Sequence, residues 1–280
     1  MSVRIIIDST ADIIPEIKDR FITVPLMVNF GDEEYIDGVT INHKEFYEKL
    51  ISSEIMPQTS QATPVAFEKV FKEVTDAGDT AVVITLASKL SGTYQSAIIA
   101  ADDYVDKIFV VDSKSATMGS GVLAQHALNL ADKGMSAKEI AEEITVLSEK
   151  VLVIAVVDTL EYLKRGGRIS KAVAFAGRLL SIKPIINIED GEIKVIGKAR
   201  GLKQANSLLL SEIENAGGID TDKPLLLGYT GLKDEPLQSF IDDNKDFWNK
   251  YTDDIKYTVV GSVVGTHAGP GAYAVAFIKK

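Results

Sequence analysis

The sequence predicts an α/β protein: an N-terminal parallel-sheet α/β/α domain followed by a second, smaller α/β domain with antiparallel pairing. Three observations predict this. Short β-favouring runs alternate with helical segments through the first half of the chain. Those runs are apolar throughout rather than at every second position, as strands covered on both faces are. After about residue 160 the pattern changes to strand–turn–strand, with Asp190-Gly191 as a hairpin signal. The expected limits are 1–160 and 161–280, with the boundary near 158–165.

Each element follows from its residues. VRIII (3–7), FITVPLMVNF (21–30), TAVVITLA (80–87), KIFVVD (107–112) and VLVIAVV (151–157) are predicted strands. Between them HKEFYEKLIS, PVAFEKVFKEVTDAG and TYQSAIIAADDYV carry apolar residues at helical spacing. GSGVLAQHALNLADKG, ended by the glycine after Lys133, and AKEIAEEITVLSEK are two further helices. In the second part AVAFAGRLLSI (172–182) reads as a helix and KPIINIEDGEIKVIGKARG as a hairpin. LKQANSLLLSEIENAG is a helix, PLLLGYTG a strand and PLQSFIDDNKDFWNKY a helix. YTVVGSVVGTHAGPGAYAVAFIK reads as two strands about a glycine loop.

Composition narrows the function. At 280 residues the chain can bury a sizeable core, with 46% hydrophobic and 25% charged residues. A formal charge of −10 and a pI near 4.9 argue against nucleic acid, whose backbone needs a positive surface. With no cysteine there is neither a disulfide framework nor a thiol nucleophile. The opening MSVRIIIDSTAD reads as a first strand rather than a signal peptide. No apolar run approaches the ~18 residues of a membrane span, and the expected location is the cytoplasm.

In a parallel sheet, ligands sit at the carboxyl ends of the strands. The loops expected there are DSTAD (8–12), QTSQAT (58–63), SKLSGT (88–93) and DSKSATMGSG (112–121), four segments rich in small hydroxyl residues. SKLSGT runs straight into a predicted helix, whose first N–H groups and partial positive charge suit an anion. Helix capping by Ser91 or Thr93 is the plainer alternative. KRGGR, with Lys164, Arg165, Arg168 and the nearby Lys171, can wrap an anion or be a solvated loop. His267 lies among Gly265, Gly269, Pro270 and Gly271. His43 and His126 fall in helical segments without ligand spacing, so no metal site is expected.

These loops also resemble a known family. QTSQAT at 58–63, LSGTYQSA at 90–97, VDSKSATMGSG at 111–121 and DTLEYLKRGGRIS at 158–170 are similar to the DegV family of fatty-acid-binding proteins. IKPII at 182–186, KARGLKQA at 198–205 and GTHAGPGAYAVAF at 265–277 continue the match. The resemblance implies a non-catalytic, cofactor-free lipid carrier. It would bury one long-chain fatty acid, such as palmitate, stearate or oleate, between its domains and present it to a separate kinase making acyl-phosphate for phospholipid metabolism. Carried over, the carboxylate would be held by Thr59 and Ser91, with the Gly92 N–H and His267 beside it. Ser60, Thr93, Arg168 and Arg200 would lie near the head group or the mouth. Where the family has Thr-Ser-Gln-Pro, this chain has Ala62 and a proline only at Pro64, which implies a local change of loop path. The tunnel is expected to use the apolar face of 172–182, Ile98, Phe67 and the strand ends.

Two other readings compete. A hydrolase or phosphoryl-transfer enzyme would use Ser91 with His267 as base and Asp8 as orienting group, although Ser-Gly-Thr lacks the Gly-x-Ser-x-Gly elbow. A nucleic-acid-binding regulator acting through KRGGR fits poorly with the net charge.

Overall fold

The computed structural model describes residues 2–169 and 181–280. The first strand, β1 (Val3–Asp8), is the branched run VRIIID. A 3-10 turn, Pro15–Arg20, then leads into β2 (Ile22–Val24). The predicted single strand over 21–30 is two, because Pro25 has no N–H to donate and the chain changes sheet there. After it, β3 (Met27–Phe30) and β4 (Glu33–Ile36) form a hairpin. Helix α1 (His43–Ser52) is started by a capping box of Asn42 and Glu45. Then β5 (Gln58–Ser60) joins β3, completing a three-stranded antiparallel sheet.

Thr63 and Pro64 open α2 (Pro64–Asp76), which leads to β6 (Thr80–Thr85), α3 (Thr93–Ala101) and β7 (Ile108–Asp112). Strands β2, β1, β6 and β7 lie in that order, all parallel. Next come α4 (Met118–Asp132) and α5 (Ala137–Ser148), the latter with a capping box of Ser136 and Glu139. β8 (Val151–Val156) is a strand, as its apolar run predicts, but it leaves the parallel sheet. It pairs antiparallel with both neighbours in a second, six-stranded sheet.

The short α6 (Glu161–Arg165) follows. The hairpin of β9 (Ile182–Glu189) and β10 (Glu192–Arg200) turns at Asp190-Gly191 as predicted, both residues having positive φ. Beyond it come α7 (Gly201–Asn215), β11 (Leu226–Tyr229), α8 (Glu235–Asp243), α9 (Lys245–Trp248) and β12 (Tyr257–Val259). The single helix predicted over PLQSFIDDNKDFWNKY is broken at Asn244. The last elements are α10 (Ser262–Ala268) and β13 (Tyr273–Ile278). The six-stranded order is β10-β9-β8-β13-β11-β12. The predicted glycine loop before the last strand is instead helix α10, which carries His267. The predicted helix over 172–182 lies outside the described residues apart from its last two positions.

One helix joins the layers. α4 packs on β1 and β6 of the parallel sheet and also on β8, β11 and β13 of the six-stranded one. Every residue from Met118 to Ala124 is buried, glycines included. Those glycines allow the approach: a methyl on Gly121 would overlap the Asp12 carbonyl, and one on Gly119 would overlap Ser115 Oγ and Val153. Among the described residues no helix is long and apolar enough to cross a membrane.

Candidate functional site

A largely aliphatic cavity lies between the loops of the parallel sheet and the inner face of the six-stranded sheet, with about 940 Å³ of empty space counting its open mouth. Strand register builds its floor. Gly228 stands opposite Ala274, Ala274 opposite Ala155, and Ala155 opposite Ile186. Residues opposite in register share a face, so Gly-Ala-Ala forms a shallow trough across three strands, all three lining the cavity. Larger residues, Val153 and Ile188, bank it on one side. The roof comes from the other layers: Leu26, Leu86, Leu90, Ala116 and Met118. Met118 sits over the trough, since a methyl on Gly228 would come within 2.5 Å of its sulfur. Most of the lining is aliphatic, so an alkyl chain would exchange water for carbon contacts along its length.

One end is polar. Thr59, Ser60, Gln61, Ser91, Arg168 and His267 line it, drawn from β5, the loop before α3, the segment after α6, and α10. Thr59 Oγ1 lies 2.9 Å from His267 Nε2. Burial, with the Arg168 charge beside it, pushes the imidazole down to about 4, so the ring is neutral near pH 7. With the proton on Nε2, the ring donates to Thr59 and leaves the threonine hydroxyl free to donate into the cavity. His267 is wedged in place: a methyl on Gly166 would overlap its Nδ1. Gly269 closes α10 at a φ of 72°, and a side chain there would run into the Tyr162 ring. Both glycines let α6 and α10 meet behind the histidine.

Ser91 is arranged likewise. Its Oγ lies 3.0 Å from Thr93 Oγ1 and accepts the Thr93 N–H at 3.3 Å. If Thr93 donates both bonds, the Ser91 proton points outward. Arg168 donates from Nε to the Leu90 carbonyl at 3.3 Å and from Nη1 to that of Gly166, which pins the guanidinium across the two loops. Hydroxyl donors from two loops, a neutral histidine and one arginine therefore face a single small volume, a donor set suited to a carboxylate or a similar oxyanion.

Of the residues expected at a head group, Thr59, Ser60, Ser91, Arg168 and His267 come together at this end. Gly92 and Thr93 stand just behind it. Gly92 packs so closely on the Gln61 amide that no side chain fits there, and Thr93 is fully buried. Arg200 does not join them: it is exposed at the end of β10, its N–H held by Gln204 Oε1 at 2.8 Å. Phe67 is fully buried in the core, Ile98 faces outward on α3, and neither lines the cavity. Among the described residues of KRGGR, only Arg168 lines the cavity; Arg165 pairs with Glu161 and Lys164 is exposed, while Lys171 lies outside the described residues. Sequence reasoning missed Gln61, whose Nε2 donates to Ser96 Oγ at 2.9 Å and ties β5 to α3. It stands inside the quoted QTSQAT loop, but the amide's reach to the helix was not legible there.

The enzyme alternative lacks its relay. His267 engages Thr59, and no hydrogen bond joins it to Ser91 among the described residues. Asp8 is buried in accepted bonds from the Thr10 N–H (2.9 Å), the Thr10 hydroxyl (2.5 Å) and the Leu86 N–H (2.7 Å). It fastens two strand ends rather than orienting an imidazole. Among the described residues no three His, Asp or Glu side chains gather to hold a metal ion.

With this geometry in view, comparison with known proteins is informative. The family model described as "Uncharacterised protein, DegV family" matches residues 2–280. The chain belongs to the DegV family. A DegV domain-containing protein of Caldanaerobacter subterraneus subsp. tengcongensis is 37% identical over 99% of both chains. A DegV family protein from Thermus thermophilus, described for its fatty acid binding, is 30% identical. It superposes with a TM-score of 0.88 over 99% of this chain and 100% of its own. A stearic acid-binding protein from Eubacterium ventriosum is 28% identical, with a TM-score of 0.87 over 100% and 99%. The α/β architecture described above is thus that of the DegV fold.

Proposed function

We propose that this DegV protein binds one long-chain fatty acid. The acyl chain would lie in the trough of Gly228, Ala274 and Ala155, and the carboxylate would sit among Thr59, Ser91 and His267. The observation that carries the reading is a largely aliphatic cavity one end of which is lined by Thr59, Ser91, Arg168 and His267 together. Two relatives of the same fold, 30% and 28% identical, bind such acids. In this reading Ser60 and Arg168 flank the head group, Gly92 and Thr93 support it from behind, and Arg200 takes no part.

Magnitudes agree. Burying about 15 methylenes at ~0.8 kcal/mol each gives on the order of 12 kcal/mol before association and ordering costs. Net affinity in the micromolar-to-nanomolar range is then reachable with modest help from the carboxylate. The ligand would lie between two parts of the chain, roughly 1–160 and 161–280, with β8 counted in the second because of its sheet. The reading extends to presentation of the acid to a separate kinase: hydroxyl donors with a single arginine, Arg168, would hold the carboxylate, and Lys164 and Arg165, a few residues before Arg168 in the chain, are exposed.

Mass spectrometry of the purified chain, native and then denatured, tests this directly. Release of one acid of about 16–18 carbons is the expected result. A chain that carries no lipid and takes up neither oleate nor palmitate would overturn it.

A further inference from the structure

A second cavity, with about 670 Å³ of empty space counting its mouth, lies behind the first loop. Its lining includes Ser9, Asp12, Lys18, Asp37 and His43 among apolar residues. Nothing in lipid binding uses it, and its chemistry is unlike that of the large cavity.

Asp37 is 3% exposed, and neither carboxylate oxygen accepts a hydrogen bond. The Ser9 and Ser262 hydroxyls and the Ser262 N–H lie close enough to favour its charged form, yet none closes a well-formed hydrogen bond on it, and the Ser262 hydroxyl is itself buried without a partner. Asp12 is 5% exposed; it accepts the Gly261 N–H at 2.8 Å on Oδ1 and the Thr117 hydroxyl on Oδ2. At Gly261, where there is no side chain, three oxygens surround the place a Cβ would occupy. Asp12 Oδ1 is 3.2 Å from it, the Ser9 carbonyl 3.6 Å and Asp37 Oδ2 3.8 Å. Two buried carboxylates thus share one space with a carbonyl and a hydroxyl.

Charge balance there is incomplete. An unpaired buried carboxylate is costly and is neutralised by a proton or by a cation. Lys18 lines the cavity, yet forms no ion pair within 4 Å among the described residues, and its ammonium acts on Asp12 and Asp37 only from a distance. His43, pushed down to about 4 by burial and by Lys18, is neutral at pH 7 and adds no positive charge. Two ionised carboxylates against one ammonium leave one negative charge over, to be offset by a proton on Asp12 or by a cation, and the three atoms nearest the open space at Gly261 are all oxygen. Oxygen donors select hard cations, which also tolerate waters in an irregular shell.

We propose that this cavity binds a hard alkali or alkaline-earth cation through Asp37 and Asp12, with the Ser9 carbonyl and the Ser262 hydroxyl in its shell. The ion ties together the loop after β1, the end of β4 and the start of α10. Because α10 carries His267, the ion fixes the platform of the polar end of the large cavity from behind. The proposal does not depend on the fatty-acid reading.

Thermal unfolding of the full chain, stripped with chelator into choline chloride, tests it. NaCl, KCl, MgCl2 and CaCl2 are added at matched ionic strength. A saturable rise of about 5 °C at a hundredfold excess over Kd is expected for one of them, with no such rise in Asp37→Asn. A monovalent response means the ion balances the single leftover charge; a divalent response means Lys18 has swung away. In either case Lys18→Ala binds more tightly. Equal Tm in choline and in all four salts overturns the proposal, as does an Asp37→Asn chain that responds like the wild type. Should Asp37→Asn fail to fold, ²³Na line broadening and ⁴⁵Ca²⁺ equilibrium dialysis on the wild type decide: one ion per chain supports the site, and none rejects it.

Discussion

The two cavities stand on either side of the β1 loop and are built on opposite terms. The large one is aliphatic over most of its wall, and at its polar end the hydroxyls of Thr59, Ser91 and Thr93 already have partners that orient their protons. The second has a mixed lining into which carboxylates intrude, and the more buried of them, Asp37, has no well-formed hydrogen bond. A wall whose donors are satisfied yet aimed inward selects a ligand by fit. An uncompensated buried charge selects by charge, whatever the shape.

Filling the trough breaks the first half of this contrast most severely. Ala155→Leu or Ala274→Leu puts a branched side chain where the acyl chain would lie, and we expect copurified lipid to fall at least about tenfold while the fold persists. Full lipid occupancy in both variants would show that the chain runs elsewhere. A different loss is expected for Thr59→Ala combined with Ser91→Ala, which leaves the trough intact and removes two charge-assisted donors. Affinity should drop about 100-fold or more by titration with a fluorescent fatty acid. Unchanged affinity would remove both hydroxyls from the head-group site.

The pH dependence sharpens the other half. Burial pushes the Asp12 carboxyl up to about 7 and that of Asp8 up to about 6. The folded chain therefore keeps protons that the unfolded chain releases near 3.8. Their stabilisation is complete below pH 3.8 and is lost as pH climbs to about 7. His267 and His43, pushed down to about 4, act in the opposite sense, adding stability from pH 4 up to about 6.5. Just above 6.5, of these four groups mainly Asp12 still titrates, so in chelated, choline-buffered solution Tm should decline from pH 6.5 to 7.5. Asp12→Asn should flatten that decline, and an identical slope in the variant would acquit Asp12. The smallest effect is expected at the rim, where Lys89 bridges Asp190 and Glu192 at 3.2 Å across exposed surface. Lys89→Ala should lower Tm only slightly, and only at low salt.

Much of this was legible in the sequence where the chemistry is local. The strand runs, the helical spacing of α1, α2, α4 and α5 and the Asp190-Gly191 turn all obey short-range rules, whereas sequence reasoning missed the equally local capping boxes at Asn42 and Ser136. Of the five head-group candidates that meet, only Ser91 comes from a carboxyl-end loop of the parallel sheet. Thr59 and Ser60 arrive on β5 of the antiparallel three-stranded sheet, Arg168 after α6 and His267 on α10. The expected convergence of parallel-sheet loops thus accounts for one of them and the family resemblance for the rest. What escaped depends on distant partners. VLVIAVV looks the same whether its neighbours run parallel or antiparallel, so only pairing with β13 and β9 reveals its sheet. Ser262–Ala268 looked like a glycine loop because Gly261, Gly265 and Gly269 are breakers in isolation. The helix survives because Gly265 sits against Phe46 and Tyr47, where a side chain would not fit. The trough itself is three small residues from three separated strands, and no stretch of sequence contains it.

The burial of α4 between both sheets bears on how the molecule comes apart. Neither sheet can shed that helix without exposing an apolar face, so the chain should melt in one cooperative step, and a fragment ending near residue 160 should collapse without a fixed structure. Amides of Val122 to Ala127 should then be among the slowest to exchange with deuterium, opening only when the whole protein does.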